Sequence, residues 1–169
     1  MKRILTVLCL CLVFLGGCGK NAQNGTDNSQ TEKGGSSFAF SIDGVEIEPG
    51  EDFAGAYAKL GEPDNYTEAA SCYYDGMDKV YTYDGFEVRT YPDGDKDIIQ
   101  DLCLSSDEYS TDKGITVGSS LEDVTSAYGE DYSLIGKMYK YYEDETRYIY
   151  FFVMDDAVKY FGYAIDAAN

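Results

Sequence analysis

Residues 118–129 read Gly-Ser-Ser-Leu-Glu-Asp-Val-Thr-Ser-Ala-Tyr-Gly, and the fold reading turns on them. Leu121, Val124 and Tyr128 mark one face of a short helix over 120–128. Ser119, with Glu122 three residues later, has the spacing of a capping box. Gly129 stands where a helix needs a residue that tolerates positive φ. Sliding the chain by 68 residues brings up a second copy of this grammar. Ile47 falls on Ile115, Gly50 on Gly118, Gly61 on Gly129, Glu62 on Glu130, Tyr73 on Tyr141 and Tyr74 on Tyr142. That offset predicts a first helix over 51–60, with Phe53, Ala56, Tyr57 and Leu60 on its apolar face and Gly61 at its end.

Strand-like runs follow each helix. Beyond the first come 71–74, 79–83, 86–91 and 97–104, separated by Asp75-Gly76, Asp84-Gly85 and Pro92-Asp93-Gly94, which is hairpin chemistry. Beyond the second come 138–142, 147–154 and 158–165, with Asp155-Asp156 as a turn. The predicted fold class is therefore α+β: two tandem repeats, 38–110 and 111–169, each a short helix packed on an antiparallel β-meander. The pattern Gly118-Ser119-Ser120-Leu121-Glu122-Asp123-Val124 through Tyr128-Gly129, in tandem and followed by a meander, resembles the β-lactamase-inhibitor-protein-like fold and the small outer-membrane assembly lipoproteins of the SmpA/OmlA type. The resemblance covers 38–166. It implies an inhibitor or assembly-scaffold role and transfers no catalytic residue. The chain departs from it at Glu51-Asp52-Phe53 and Ala56, and in having no Trp, the residue that inhibitor members use on their concave face.

The N-terminus gives an address. Lys2 and Arg3 precede an apolar run from Ile4 to Phe14, too short to span a bilayer and suited to a signal peptide over 1–17. Leu15-Gly16-Gly17-Cys18 resembles a bacterial lipobox, which implies acylation at Cys18. The two chains of a diacylglyceryl group suffice for stable anchoring. Gly19 to Ser37 is polar and Gly-rich, a tether whose 19 residues reach on the order of 25 Å as a coil. The expected location is the bacterial cell membrane, lipid-anchored on the extracytoplasmic side.

Composition narrows the chemistry. The 169 residues carry 13 Lys+Arg and 31 Asp+Glu, a net charge of −18, with no His. Cleavage before Cys18 removes Lys2 and Arg3, leaving 11 basic and 31 acidic residues and a net −20. Such a body repels nucleic acid and anionic lipid, so membrane contact would rest on the anchor alone. Without histidine, every mechanism that uses imidazole as base, shuttle or metal ligand is excluded. Asp93 to Asp97 begins like a calcium loop, but Ile98 and Leu104 stand where glycine and glutamate are needed. No cofactor or metal motif is present. Cys72 and Cys103, placed on the first and fourth strands of one meander, are too far apart to bridge without a different strand order. The expectation is two separate, mostly buried thiols.

Seventeen tyrosines are the strongest functional lead. In Arg147-Tyr148-Ile149-Tyr150-Phe151-Phe152-Val153 both alternating faces are apolar. Ile149, Phe151 and Val153 are expected under the helix, with Tyr148, Tyr150 and Phe152 on the other side, joined there by Tyr139 and Tyr141. Either that side is a binding face, or the two repeats fold against each other and bury it. The expectation is a non-enzymatic module binding an envelope or extracellular protein through this face. The alternative is an exported hydrolase or carbohydrate-handling protein that uses paired carboxylates.

Overall fold

The computed structural model describes residues 38–166. Cys18, the signal segment and the linker lie outside the described residues. A hairpin of β1 (Phe40–Ile42) and β2 (Val45–Ile47) leads into α1 (Ala54–Leu60). Four strands follow: β3 (Asn65–Ala70), β4 (Met77–Tyr83), β5 (Phe86–Asp93) and β6 (Lys96–Leu104). Then α2 (Leu121–Tyr128) precedes β7 (Ser133–Ile135), β8 (Met138–Tyr142), β9 (Arg147–Met154) and β10 (Ala157–Ile165).

The strands from β3 to β10 form one antiparallel sheet in the order β3-β4-β5-β6-β10-β9-β8-β7. This corrects the α+β expectation of two repeats, each a helix on its own meander. The protein is mostly β, and its backbone is one eight-stranded sheet. The reason lies in the edges that the two runs of strands would otherwise leave bare. β6 and β10 pair, setting Phe161 opposite Leu104 and Tyr163 opposite Leu102, all four buried. The helices are minor by comparison: α1 buries Ala56, and α2 buries Val124. A single core runs under both halves, built on Val88, Leu102, Leu104, Phe151 and Phe161, with Ile42, Val45 and Ile47 of the hairpin packed into it.

The first helix starts three residues later than expected, because the backbone before it is already engaged. Gly50 N–H donates to Ile99 O (2.7 Å), Ile99 N–H to Glu51 O (2.9 Å) and Phe53 N–H to Asp97 O (2.8 Å). Those bonds cover the stretch of β6 that β10 does not reach. The cap of α2 is also one residue along from the expected pair. Ser120 Oγ accepts from Asp123 N (3.1 Å), and the Asp123 carboxylate accepts from Ser120 N (2.9 Å). Ser119 Oγ instead accepts from Thr116 N. Both helices do end at the expected glycines, at φ 82° for Gly61 and 90° for Gly129.

The gapless 68-residue offset does not survive into the strands. It equates Tyr73 with Tyr141, but Tyr73 is 84% exposed, in the loop after β3. The residue that shares the contact made by Tyr141 is Tyr83: their hydroxyls donate to Gly129 O and Gly61 O respectively, each at 3.1 Å. The expected strand at 71–74 is likewise replaced by this loop, in which Ser71 Oγ accepts from Tyr73 N and Tyr74 N. Cys72 and Cys103 are unbridged, as expected, although Cys72 lies in this loop and not on a strand. Cys72 is exposed, however, not buried.

Candidate functional site

Residues directly opposite in an antiparallel ladder point to the same face. β8 and β9 pair Met138 with Phe152, Lys140 with Tyr150, and Tyr142 with Tyr148. β10 adds Tyr160 opposite Phe152, Gly162 opposite Tyr150 and Ala164 opposite Tyr148. Across the central seam the same face takes in Asp101 and Cys103 of β6, then Arg89 and Glu87 of β5. The helices and the β1–β2 hairpin make their ring contacts on the opposite face, Phe53 to Tyr81, Tyr128 to Phe151 and Phe40 to Phe161. What remains is a groove of about 610 Å³ on the side of the sheet centre that these elements leave open.

Of the five aromatic residues expected there, the structure places Tyr148, Tyr150 and Phe152 on this face. Tyr139 and Tyr141 are corrected to the other one. Tyr141 is opposite Ile149 and Tyr139 opposite Phe151, and their rings contact Tyr132. The parity of the β8–β9 register decides this. With Tyr142 paired to Tyr148, even-numbered residues share the open face and odd-numbered ones the core. The expectation had no register to work with, because the acidic turn at 143–145 does not announce its length. Asp144 sets it, accepting from Thr146 N (2.9 Å) and Arg147 N (2.8 Å). Tyr142 was missed for the same reason, and Tyr160 because a bulge between Val158 and Tyr160 shifts the β9–β10 register and sets it opposite Phe152.

The rings form a continuous row. Tyr142 lies 5.2 Å from Tyr148, Tyr148 6.2 Å from Tyr150, and Tyr150 6.3 Å from Tyr160, which stacks on Phe152 at 4.7 Å. Lys140 Nζ sits 3.8 Å above the Tyr148 ring and 3.5 Å from Asp166. Tyr142, 46% exposed, is the most accessible ring of the row, whereas Tyr150 is 4% exposed.

Tyr150 is held down by its hydroxyl, which donates to Asp101 Oδ1 at 2.8 Å, two strands away. It crosses over Gly162, where a Cβ would fall 2.5 Å from its Oη and 2.6 Å from its Cζ. Arg89 sits between two carboxylates, 3.0 Å from Glu87 and 3.4 Å from Asp101. Burial raises the Asp101 pKa to about 6, against the opposing pull of the Tyr150 hydrogen bond and Arg89. Burial also pushes the Cys103 thiol up to about 11, so it is no ready nucleophile. Burial, and then the Asp101 charge, drive the Tyr150 phenol far above its ordinary range.

This arrangement presents flat, neutral rings and a fixed guanidinium–carboxylate cluster. The two carboxylates share one arginine, Arg89. Among the described residues no three His, Cys, Asp or Glu side chains are grouped to hold a metal ion, and no helix is long and apolar enough to cross a membrane. No protein-family model matches the chain, and no curated protein or solved structure does so either.

Proposed function

We propose that this protein is a lipid-anchored, extracytoplasmic binding module that docks an envelope or extracellular protein on the open face of its sheet. The observation that supports this most directly is the row Tyr142–Tyr148–Tyr150–Tyr160 on a face that neither α1 nor α2 covers. Tyrosine offers large contact area with few rotatable bonds, and Tyr150, pinned to Asp101, is pre-ordered before any partner arrives. The bridging of Glu87 and Asp101 by Arg89 favours binding over carboxylate hydrolysis. Anchoring at Cys18 belongs to the same proposal and rests on the lipobox-like sequence. The sequence resemblance at Gly118–Gly129 makes an inhibitor or assembly-scaffold role the natural form of this activity.

The test is crosslinking in native membranes, followed by mass spectrometry, with the full chain and its Tyr142→Ala/Tyr148→Ala variant. Both rings are at least partly exposed, so the variant keeps its core. Recovery of a specific partner is expected to fall at least about tenfold, as for loss of aromatic hot spots, with the melting temperature nearly unchanged. Equal recovery, or a collapse in melting temperature, would reject the reading.

A further inference from the structure

A second cavity, of about 430 Å³, lies on the helix side of the sheet, where α1 meets the edge formed by β3 and β4. Besides Ala54 and Pro63, its apolar lining is four aromatic rings: Phe53 and Tyr57 from the α1 segment, Tyr66 from β3 and Tyr81 from β4. Tyr81 contacts all three others, with centroids 4.8 Å from Phe53, 5.8 Å from Tyr57 and 5.2 Å from Tyr66. Phe53 and Tyr81 are buried and form the floor; Tyr57 is half-buried, and Tyr66, 44% exposed, stands at the mouth. The polar lining is acidic, with Glu62 and Asp97 in the wall. Glu68 accepts the Tyr66 hydroxyl hydrogen bond just outside.

We propose that this cavity binds a small quaternary ammonium cation in its aromatic box. Aromatic rings that line one space attract a cation through their quadrupoles, and Tyr57 and Tyr66 are the two of the four with accessible surface to offer. The molecule already uses this interaction elsewhere: Lys113 Nζ lies 4.2 Å from the centre of the Tyr128 ring, and Lys140 sits over Tyr148. Among the described residues no Lys or Arg is placed over the four rings of the box. Lys79, the nearby base, is turned to Asp97 at 2.8 Å and neutralises it, which leaves Glu62 and Glu68 as the unbalanced charges.

The bonding at the rim selects the kind of cation. Hydrogen bonding to Glu68 raises the Tyr66 phenol to about 12, and hydrogen bonding to Glu62 raises that of Tyr57. Both hydroxyls are thus neutral, and that of Tyr66 is already engaged as a donor. The box therefore presents ring faces more than free acceptors, which suits a cation with no N–H to satisfy. A zwitterion would bring its own anion against Glu62 and Glu68, so a ligand with net positive charge is favoured.

Calorimetric titration of the full chain with choline, with its neutral isostere 3,3-dimethyl-1-butanol and with phosphocholine tests this. Choline is expected to bind saturably and at least about tenfold tighter than either comparison compound. Tyr66→Leu, at an exposed site that the fold does not depend on, is expected to weaken choline at least about tenfold, and Glu62→Gln to weaken it severalfold. Equal binding of the isostere or of phosphocholine, indifference to Tyr66→Leu, or no saturable choline binding would overturn the proposal.

Discussion

Gly162 and Asp101 show how single positions make the open face, and why neither can be read from a string. An isolated glycine inside a strand suggests close approach of another group, but only the register reveals that the group is the Tyr150 ring. Asp101 looks like any of the 31 acids until Tyr150 and Arg89 are seen to converge on its carboxylate. Its raised pKa has a measurable consequence. Folded Asp101 titrates near 6, above the ordinary carboxyl value of 3.8, so between those values the native state holds a proton that the unfolded chain has released. Stability from this group is complete below about pH 4 and is lost as pH rises through 6. The side chain is 13% exposed, and the loss is on the order of 2–3 kcal/mol. Asp123 and Asp144 act with the opposite sign: hydrogen bonds depress their pKa values, so their contributions are lost as acid is added. Both are common to wild type and Asp101→Asn, and cancel in the difference. Urea unfolding from pH 4 to 8 should therefore show Asp101→Asn gaining on wild type as pH rises through 4–6.5. Parallel curves would mean that Asp101 does not titrate as described.

Among elements, those marked by local chemistry were legible and those made by distant partners were not. Asp84-Gly85 and Asp93-Gly94 turn β4 into β5 and β5 into β6, and Asp155 and Asp156 take up φ of 54° and 57° between β9 and β10. Such turns are decided by a few adjacent residues. β3 and β7 gave no clear signal because they are sheet edges with every residue exposed, so no apolar alternation marks them. The start of α1 was misplaced because residues 50–53 bond to β6, a partner more than forty residues away. At α2 the error was a single step, from Ser119 and Glu122 to Ser120 and Asp123, and substitution separates the two assignments. Ser120→Ala should cost about 1 kcal/mol through loss of the cap, whereas Glu122→Gln, on an exposed position, should stay within about 0.5 kcal/mol. Urea midpoints at pH 7 measure both. The reverse ranking would restore the pair read from the sequence.

For the whole molecule, the repeat-like pattern pointed to two units because each helix and its strands are contiguous in sequence. Nothing local to β6 says that its free edge is met by β10, more than fifty residues later. That seam replaces two small cores with one, and it predicts how the chain comes apart. The full chain should unfold in a single transition. A fragment of residues 38–110 would leave Leu102 and Leu104 beside an empty edge, and should show neither dispersed amide resonances nor cooperative melting. A folded, cooperatively melting fragment would refute the shared core. The placement of β10 also bears on events during synthesis. Of the described strands, the one made last goes into the middle of the sheet, between β6 and β9. Until it emerges, the nascent chain holds at most two incomplete ribbons, each with a bare inner edge. Closure of the sheet thus waits on residues 157–165. A premature stop before residue 157 would remove the strand on which both ribbons close.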